Sequence, residues 1–224
     1  MKIILFDIDG TLISAGGAGT RALNKAFEQI LGIKDAFKNF EMAGKTDVQI
    51  IKEGLIASGF KPSNVLVSEL IESYLENLSI EINNNSKHLK PGVKEFIELI
   101  YHELKYPMGL LTGNLEKGAR IKLEPFGLNT FFPFGAFGSD HEDRNYLLPV
   151  AIERFSRTFN YNIDFQQCIV VGDTPRDVAC AKPYGATVIA VATGPYSVEK
   201  LKTTGADVVV ENLLEISKIL TLLS

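Results

Sequence analysis

Short apolar segments alternate with helical patterns along most of this chain. Each segment runs into Asp, Gly or Thr, as buried strands of a parallel sheet do. Ahead of the second segment, residues 91–104 place Val93, Phe96, Ile97 and Ile100 on one helical face. Strands alternating with helices predict an α/β fold with a Rossmann-like parallel sheet flanked by helices. The predicted strands span residues 2–6, 106–112, 167–172, 187–192 and 207–210.

A helical stretch at residues 15–88 interrupts this alternation. It contains three helical patterns and no convincing strand. The glycine-rich AGGAG at one end and the polar NNNSKHLKPG at the other are suited to hinges. We therefore predict a small α-helical cap domain at 15–88, inserted into a catalytic core of residues 1–14 and 89–224. The predicted cap helices span residues 20–31, 47–58 and 62–83.

Composition limits the partners of the chain. It has 224 residues, 46% of them hydrophobic, which is enough to bury a core. The net charge is −4 and no basic run occurs, so a nucleic acid is not an expected partner. No apolar stretch approaches the roughly 20 residues of a membrane span, and the first apolar run is too short for a signal peptide. We expect a cytoplasmic protein, monomeric or homodimeric, that binds a small molecule and no membrane.

Two pairs of acidic residues follow predicted strands. Asp7 and Asp9 stand in DIDG, directly after the first strand, and Asp173 and Asp177 stand in GDTPRDV, after the third. The carboxyl ends of parallel strands meet at one edge of a sheet, so neighbouring strands would bring these four carboxylates together. Such a cluster is repulsive without a cation, and oxygen ligands favour Mg²⁺. Taken singly, DIDG also fits an Asx turn, and Asp177 also fits a helix cap.

The segment LLTGN ends the second strand with Thr112, Gly113 and Asn114. A hydroxyl and free backbone N–H groups at a strand end are suited to bind a phosphoryl oxygen. A plain strand-to-helix turn with Thr or Asn as its cap is an equally good interpretation.

Taken together, DIDGTL, LLTGN and GDTPRDV resemble, in this order, the motifs of the haloacid dehalogenase superfamily, in particular its phosphoglycolate-phosphatase-like members with a helical cap. The resemblance covers the entire chain. It implies that Asp7 is the nucleophile and becomes an aspartyl phosphate, and that Asp9 protonates the leaving oxygen and later activates water. It also implies Mg²⁺ held by the Asp7 carboxylate, the Asp9 backbone carbonyl and Asp173, with Asp177 holding a metal-bound water or orienting the site.

The same resemblance implies a catalytic role for Thr112 and substrate contacts for Gly10, Thr11, Gly113 and Asn114. The predicted activity is hydrolysis of a small phosphomonoester by a Mg²⁺-dependent phosphatase. Asp9 favours phosphate over halide chemistry, because a carbon-bound halide needs no proton on leaving. Two other functions stay open: a phosphomutase of the same superfamily, and a non-catalytic protein that binds a phosphorylated metabolite.

Similar proteins supply a lysine just before the helix that precedes the last motif. The corresponding segment here, GSDHEDRNYLLPVAIERF, contains no lysine. Arg144 is the best candidate for the missing cation, because its planar fork can bridge the nucleophile and a phosphoryl oxygen. The alternative is a surface arginine paired with Asp140, Glu142 or Asp143.

The polar stretch GKTD precedes the second predicted cap helix. In similar phosphatases this position faces the active site, so Lys45 is a candidate contact for a carboxylate or a second anionic group of the substrate. Capping of the helix by Thr46 or Asp47 accounts for most of the stretch without a function.

Overall fold

The computed structural model describes residues 2–223, and eight strands lie within them. In chain order they are β1 (Ile3–Phe6), β2 (Ile13–Ser14), β3 (His88–Leu89), β4 (Met108–Leu111), β5 (Gly135–Ala136), β6 (Cys168–Gly172), β7 (Thr187–Val191) and β8 (Val208–Val210). Six of them form a parallel sheet in the order β5-β4-β1-β6-β7-β8. The predicted α/β fold with a parallel sheet is confirmed.

Helices occupy most of the connections between strands. Across the described residues the α-helices are α1 (Ala18–Leu31), α2 (Asp47–Ala57), α3 (Asn64–Glu81), α4 (Val93–Glu98), α5 (Glu116–Leu123), α6 (Leu147–Phe159), α7 (Pro175–Ala181), α8 (Val198–Lys202) and α9 (Ile216–Leu223). Helix α4 continues as a π-helical segment, Leu99–Leu104. Among residues 2–223, no helix is both long enough and apolar enough to cross a bilayer.

The parallel sheet is buried on both faces. In β1, Ile4 and Phe6 pack into one apolar cluster, whereas Ile3 and Leu5 pack into the other. Successive side chains of a strand point to opposite faces, so a strand buried on both sides has a continuous apolar sequence. The short apolar runs in the sequence therefore correspond to strands packed between two layers of helices.

Helices α1, α2 and α3, with their connections, form a helical insertion between β2 and β3. Helix α1 packs along α3, and the ring of Phe27 meets that of Phe37 edge-on, with centroids 4.7 Å apart. Tyr74 of α3 is buried in the same apolar cluster. The three helices match the three helical patterns of the sequence, and the assignment of residues 15–88 to a separate cap domain stays a prediction.

A short antiparallel pair joins the two ends of the helical insertion. Ile13 of β2 lies opposite Leu89 of β3, so the chain leaves and re-enters the core at one place. Sequence analysis found no strand at either end, because two-residue strands are too short to show alternation.

The order of the sheet brings three strand ends together. Strand β1 pairs with β4 on one side and with β6 on the other. Asp7, Thr112 and Asp173 are the residues that directly follow these three strands. The polar motifs of the sequence therefore converge at the carboxyl edge of the sheet, where α/β proteins bind ligands.

Candidate active site

Three buried acidic side chains meet at the carboxyl ends of β1 and β6. Carboxylate oxygens of Asp7, Asp173 and Asp177 lie within 4.8 Å of one another. The Asp7 N–H donates to the Val171 carbonyl at 2.9 Å, and the Thr11 hydroxyl donates to Asp173 Oδ1 at 3.0 Å. Hydrogen bonds from adjacent strands and loops therefore hold the cluster in place.

Burial and mutual repulsion disfavour ionisation of this cluster. The pKa of Asp7 is raised to about 6, chiefly by burial, although Arg144 opposes the rise. The pKa of Asp173 lies well above its usual value because of burial and then because of the nearby Asp7 and Asp177. A bound cation would offset both effects. Hard carboxylate oxygens gathered in a small volume are the donors that Mg²⁺ prefers, so these residues fit a divalent cation.

Position 10 needs glycine because the backbone approaches the cluster closely. Gly10 has a φ of +89°, and a Cβ at this position would overlap the Asp173 carboxylate. The Gly10 N–H donates to the Ile13 carbonyl at 2.9 Å, and the Gly10 carbonyl accepts from the Thr193 hydroxyl at 2.6 Å. Gly10 and Thr11, both predicted to contact substrate, thus shape the loop and hold Asp173.

Arg144 is buried at the acidic cluster and is only 6% exposed. Its Nη2 atom donates to Asp7 Oδ1 at 3.0 Å, to the Leu111 carbonyl at 3.1 Å and to Asp177 Oδ1. Burial lowers the pKa of Arg144, but Asp177 and Asp7 outweigh burial and keep the pKa above its usual value. The structure therefore brings the predicted cation to the predicted nucleophile, and a surface arginine is excluded.

Both oxygens of Asp177 accept hydrogen bonds. Oδ1 accepts from Arg144, and Oδ2 accepts from the backbone N–H and the hydroxyl of Thr174 at 2.9 and 2.8 Å. The bond from the Thr174 N–H, together with the bond from the Asp177 N–H to the Thr174 side chain, forms a capping box at the start of α7. Asp177 therefore caps its helix and anchors Arg144, and of its two predicted roles the geometry favours orienting the site.

The turn after β4 connects the acidic cluster with Asp9. The buried Thr112 hydroxyl hydrogen-bonds to Asp7 and accepts from Asn114 Nδ2 at 2.9 Å. The same amide nitrogen donates to Asp9 Oδ2 at 2.8 Å. Thr112 and Asn114 thus link the predicted nucleophile to the predicted acid and base.

Lys122 lies at the site although sequence analysis did not select it. Its ammonium donates to Asp9 Oδ2 at 2.6 Å and to Asn114 Oδ1 at 2.5 Å, and the residue is only 4% exposed. In the structure, Lys122 shares one face of α5 with Gly118 and Ala119, which are also buried. Half of the residues in EKGARIKL are charged, so the sequence pattern gave no signal that this helix packs on the core.

A cavity of about 320 Å³ lies between these residues and the helical insertion. On the core side it is lined by Asp7, Asp9, Asn114 and Lys122. Its lining from the helical insertion includes Thr20, Leu23, Met42, Lys45, Ile50 and Tyr74. The cavity has the size of a small-molecule site and carries charges of both signs.

The loop before α2 is docked on the core. The Asp47 N–H donates to the Gly113 carbonyl at 2.8 Å, and the Thr46 hydroxyl donates to the Glu142 carbonyl at 2.7 Å. A Cβ at Gly113 would overlap the Lys45 carbonyl. The predicted substrate contact Gly113 therefore also permits a close approach of the helical insertion.

Lys45 lines the cavity, but its ammonium has a partner within the helical insertion. It donates to Glu53 Oε2 at 2.6 Å and lies 5.3 Å from the centroid of the Phe40 ring. A substrate anion would have to compete with Glu53 for this ammonium. The predicted contact between Lys45 and substrate stays a prediction.

Asp47 is a buried acid at the junction of the helical insertion and the core. Its Oδ2 atom accepts from the Leu115 N–H at 2.9 Å, and its carboxylate interacts with the Tyr74 hydroxyl. Burial raises the pKa of Asp47 to about 6, although Lys122 and the Leu115 N–H oppose the rise. In the folded protein the group therefore keeps its proton at a pH where the unfolded chain has lost it.

This raised pKa predicts a pH-dependent contribution to stability. Asp47 should destabilise the folded protein by about 3 kcal/mol as pH rises from about 4 to 7, because the unfolded chain then binds fewer protons. Asp47→Asn stays neutral, so its free energy of unfolding relative to the native protein should increase over this range. Urea unfolding in metal-free buffer at both pH values measures the change.

An exposed acid on the helical insertion provides the control. Glu69→Gln on α3 should keep the native pH dependence, since Glu69 is in solvent. A difference between native and Asp47→Asn protein that is constant from pH 4 to 7 would show that burial does not perturb Asp47.

Comparison with known proteins gives one family. Residues 4–191 match the family model for haloacid dehalogenase-like hydrolase. A phosphoglycolate phosphatase of Vibrio parahaemolyticus is 24% identical, over 98% of this chain and 96% of that protein. Two solved structures share the fold over nearly all of both chains. A predicted phosphoglycolate phosphatase from Haemophilus somnus has a TM-score of 0.74 at 19% identity, with 98% of each chain covered. CbbY from Rhodobacter sphaeroides in complex with phosphate has a TM-score of 0.78 at 17% identity, with 100% of each covered.

The family match covers most of the chain, including the strands β1, β4 and β6 whose ends carry the acidic cluster. It confirms the resemblance drawn from DIDGTL, LLTGN and GDTPRDV, and with it the prediction of a hydrolase. This chain belongs to the haloacid dehalogenase-like hydrolases.

Proposed function

We propose that this chain is a Mg²⁺-dependent phosphatase that hydrolyses a small phosphomonoester through an aspartyl phosphate on Asp7. The observation that carries the proposal is the placement of the Asp7 carboxylate, 3.0 Å from Arg144 and beside Asp173, at the wall of a cavity of about 320 Å³. The curated relatives named phosphoglycolate phosphatase support a small, acidic phosphate ester as the substrate.

The acidic cluster supports a bound Mg²⁺ ion. The Asp7 carboxylate, Asp173 and the Asp9 backbone carbonyl would hold it, and Asp177, whose oxygens accept from Arg144 and Thr174, would orient the site. When bound, the ion draws negative charge from the phosphoryl oxygens and so lowers their repulsion of the nucleophile. Without such help a carboxylate is a poor nucleophile toward an anionic ester.

The chemistry follows from the positions of the side chains. An Asp7 oxygen attacks phosphorus, the bond from phosphorus to the ester oxygen breaks, and Asp9 gives its proton to the departing oxygen. Asp9 then takes a proton from water, which attacks the phosphorus of the aspartyl phosphate and releases inorganic phosphate. Arg144 supplies positive charge beside the phosphoryl oxygens, while the Thr112 hydroxyl and the Asn114 side-chain amide hold Asp7 and Asp9 in place.

The helical insertion acts in this proposal as a cap. Its α2 loop is docked on the core through Thr46 and Asp47, so the insertion covers one side of the cavity. A cap in this position would limit the access of bulk water to the reacting atoms during attack by Asp7. Lys45 would select substrates with a second anionic group. A cytoplasmic location and a monomeric or homodimeric state remain predictions from the sequence.

The test is phosphate release from phosphoglycolate, a sugar phosphate and a nucleoside monophosphate, measured with Mg²⁺ and again after treatment with EDTA. We expect release with Mg²⁺ from at least one ester and almost none after EDTA, with recovery when Mg²⁺ is added back. A phosphomutase would release little phosphate and would instead form an isomeric ester when given a bisphosphate. A binding protein would do neither, although ligands would raise its melting temperature. Either result would contradict the proposed hydrolysis.

A further inference from the structure

Lys122 is a buried cation outside the acidic cluster of Asp7, Asp173 and Asp177. It projects from α5 and is only 4% exposed. An ammonium at such a place needs partners, because removing a charge from water costs several kcal/mol unless it is paired and hydrogen-bonded. Its partners, Asp9 and Asn114, both lie at the site.

Lys122, Asn114 and Asp9 form a closed ring of hydrogen bonds. The Lys122 ammonium donates to Asp9 Oδ2 at 2.6 Å and to Asn114 Oδ1 at 2.5 Å, and Asn114 Nδ2 donates to the same Asp9 oxygen at 2.8 Å. Two donors on one oxygen fix the rotation of the Asp9 carboxylate. They also satisfy Oδ2, so a proton carried by Asp9 belongs on Oδ1.

The helical insertion adds two further groups around this ammonium. Asp47 of α2 interacts electrostatically with Lys122, and the Tyr74 hydroxyl of α3 hydrogen-bonds to Asp47. Asp47 also fixes the segment that carries Asn114, since its carboxylate accepts from the Leu115 N–H at 2.9 Å. Docking of the helical insertion and orientation of Asp9 therefore involve the same lysine.

We propose that Lys122 is a positioning residue that holds the Asp9 carboxyl group in the orientation needed for proton transfer to the leaving oxygen. The inference rests on the proposed function, because it takes Asp9 to be the acid. During the transfer the Oδ1 proton moves to the ester oxygen as its bond to phosphorus breaks. Lys122 keeps its own protons and stays hydrogen-bonded to Oδ2.

Leaving groups of different acidity distinguish this role from a purely structural one. Benzyl phosphate releases a strongly basic alkoxide that needs a proton, whereas p-nitrophenyl phosphate, of similar size, releases an anion that does not. For Lys122→Met we expect kcat/KM for benzyl phosphate to fall by about 100-fold or more, the usual range for loss of general acid catalysis. The value for p-nitrophenyl phosphate should fall much less. The ratio of the two is the measurement.

A surface control and a double variant complete the experiment. Lys117→Met changes an exposed lysine on the same helix and should leave both values of kcat/KM unchanged. Asp9→Asn should reproduce the selective loss for benzyl phosphate, and adding Lys122→Met to it should cost little more, because the lysine acts through Asp9. If Lys122→Met does not fold, Lys122→Gln is measured in the same way; we expect a smaller loss that is still selective for benzyl phosphate, because its amide is uncharged and shorter than the lysine side chain.

The role of Lys122 would be overturned if Lys122→Met lowered kcat/KM equally for the two esters. It would also be overturned if Lys122→Met lowered kcat/KM as much in Asp9→Asn protein as in the native protein. These outcomes are distinct from failure of the proposed function, in which the native protein itself would release phosphate from neither ester. If the native protein releases phosphate and Lys122→Met keeps the native ratio of the two kcat/KM values, only this inference is overturned.

Discussion

Replacing Asp7 by Asn should lower the rate of phosphate release by about 10⁴-fold or more, the scale of losses seen when a catalytic nucleophile is removed. Asparagine has the shape of aspartate, but its amide does not attack phosphorus. Folding should not suffer. Asp7 is one of three buried acids whose oxygens lie within 4.8 Å, and its pKa is raised to about 6, chiefly by burial. Removing its charge relieves repulsion, while Arg144 keeps its bonds to Asp177 and Leu111.

Three measurements check this expectation. Steady-state phosphate release with Mg²⁺ should be lost in Asp7→Asn, whereas the melting temperature in EDTA should equal or exceed that of the native protein. Acid quenching during turnover of a ³²P-labelled ester should leave label on the native chain and none on the variant. Asp35→Asn is a matched control, because Asp35 is exposed and its φ of +51° is one that asparagine adopts readily. Retained activity in Asp7→Asn would place the nucleophile elsewhere.

The fold could be predicted because the sheet is buried on both faces. Strands such as β1 are then short apolar runs, and their polar ends identify the edge where the ligand site lies. Asp7, Thr112 and Asp173 immediately follow strands β1, β4 and β6, so their convergence needed only the sheet order. The order of strands in the sheet is set by packing. From the sequence alone, that these strands are neighbours could only be assumed.

Site residues were harder to predict where they lie on loops or on helices that contain many charged residues. Lys122 was missed because its partner Asp9 is 113 residues away in sequence and because its helix α5 is rich in charge. Glu53 was missed as the partner of Lys45, because a pairing within the helical insertion depends on the side-chain directions of α2 and the loop before it. Contacts of this kind are tertiary, and neither periodicity nor motif spacing encodes them.

Arg144→Met should destabilise the metal-free protein by about 3–5 kcal/mol, the usual cost of removing one partner from a buried ion pair. Arg144 is the cation between Asp7 and Asp177, and its loss leaves two buried carboxylates without their partner. Phosphate release should fall by about 10²–10³-fold, as when one donor to a charged transition state is removed. Urea unfolding in EDTA and kcat with Mg²⁺ measure the two effects.

Arg144→Lys should keep most of the stability and most of the rate of phosphate release that Arg144→Met loses. A single atom of the guanidinium, Nη2, makes all three contacts with Asp7, Asp177 and Leu111, and an ammonium offers three donors in one place. Lysine would also remove the Arg144 Nε–H, which is buried without a hydrogen-bond partner among the described residues. The contact of Nη1 with the Gly44 carbonyl, at 3.4 Å, would be lost, and it is long enough to contribute little.

The control for both variants is Arg157→Met on α6, whose side chain is 76% exposed and which should behave as the native protein. If Arg144→Lys were as inactive as Arg144→Met while folding normally, the planar fork itself would be required, and one nitrogen could not account for the role of Arg144. If Arg144→Met retained native activity, the cation beside Asp7 would serve only to stabilise the fold. Charge neutralisation at the nucleophile would then have to come from Mg²⁺ alone.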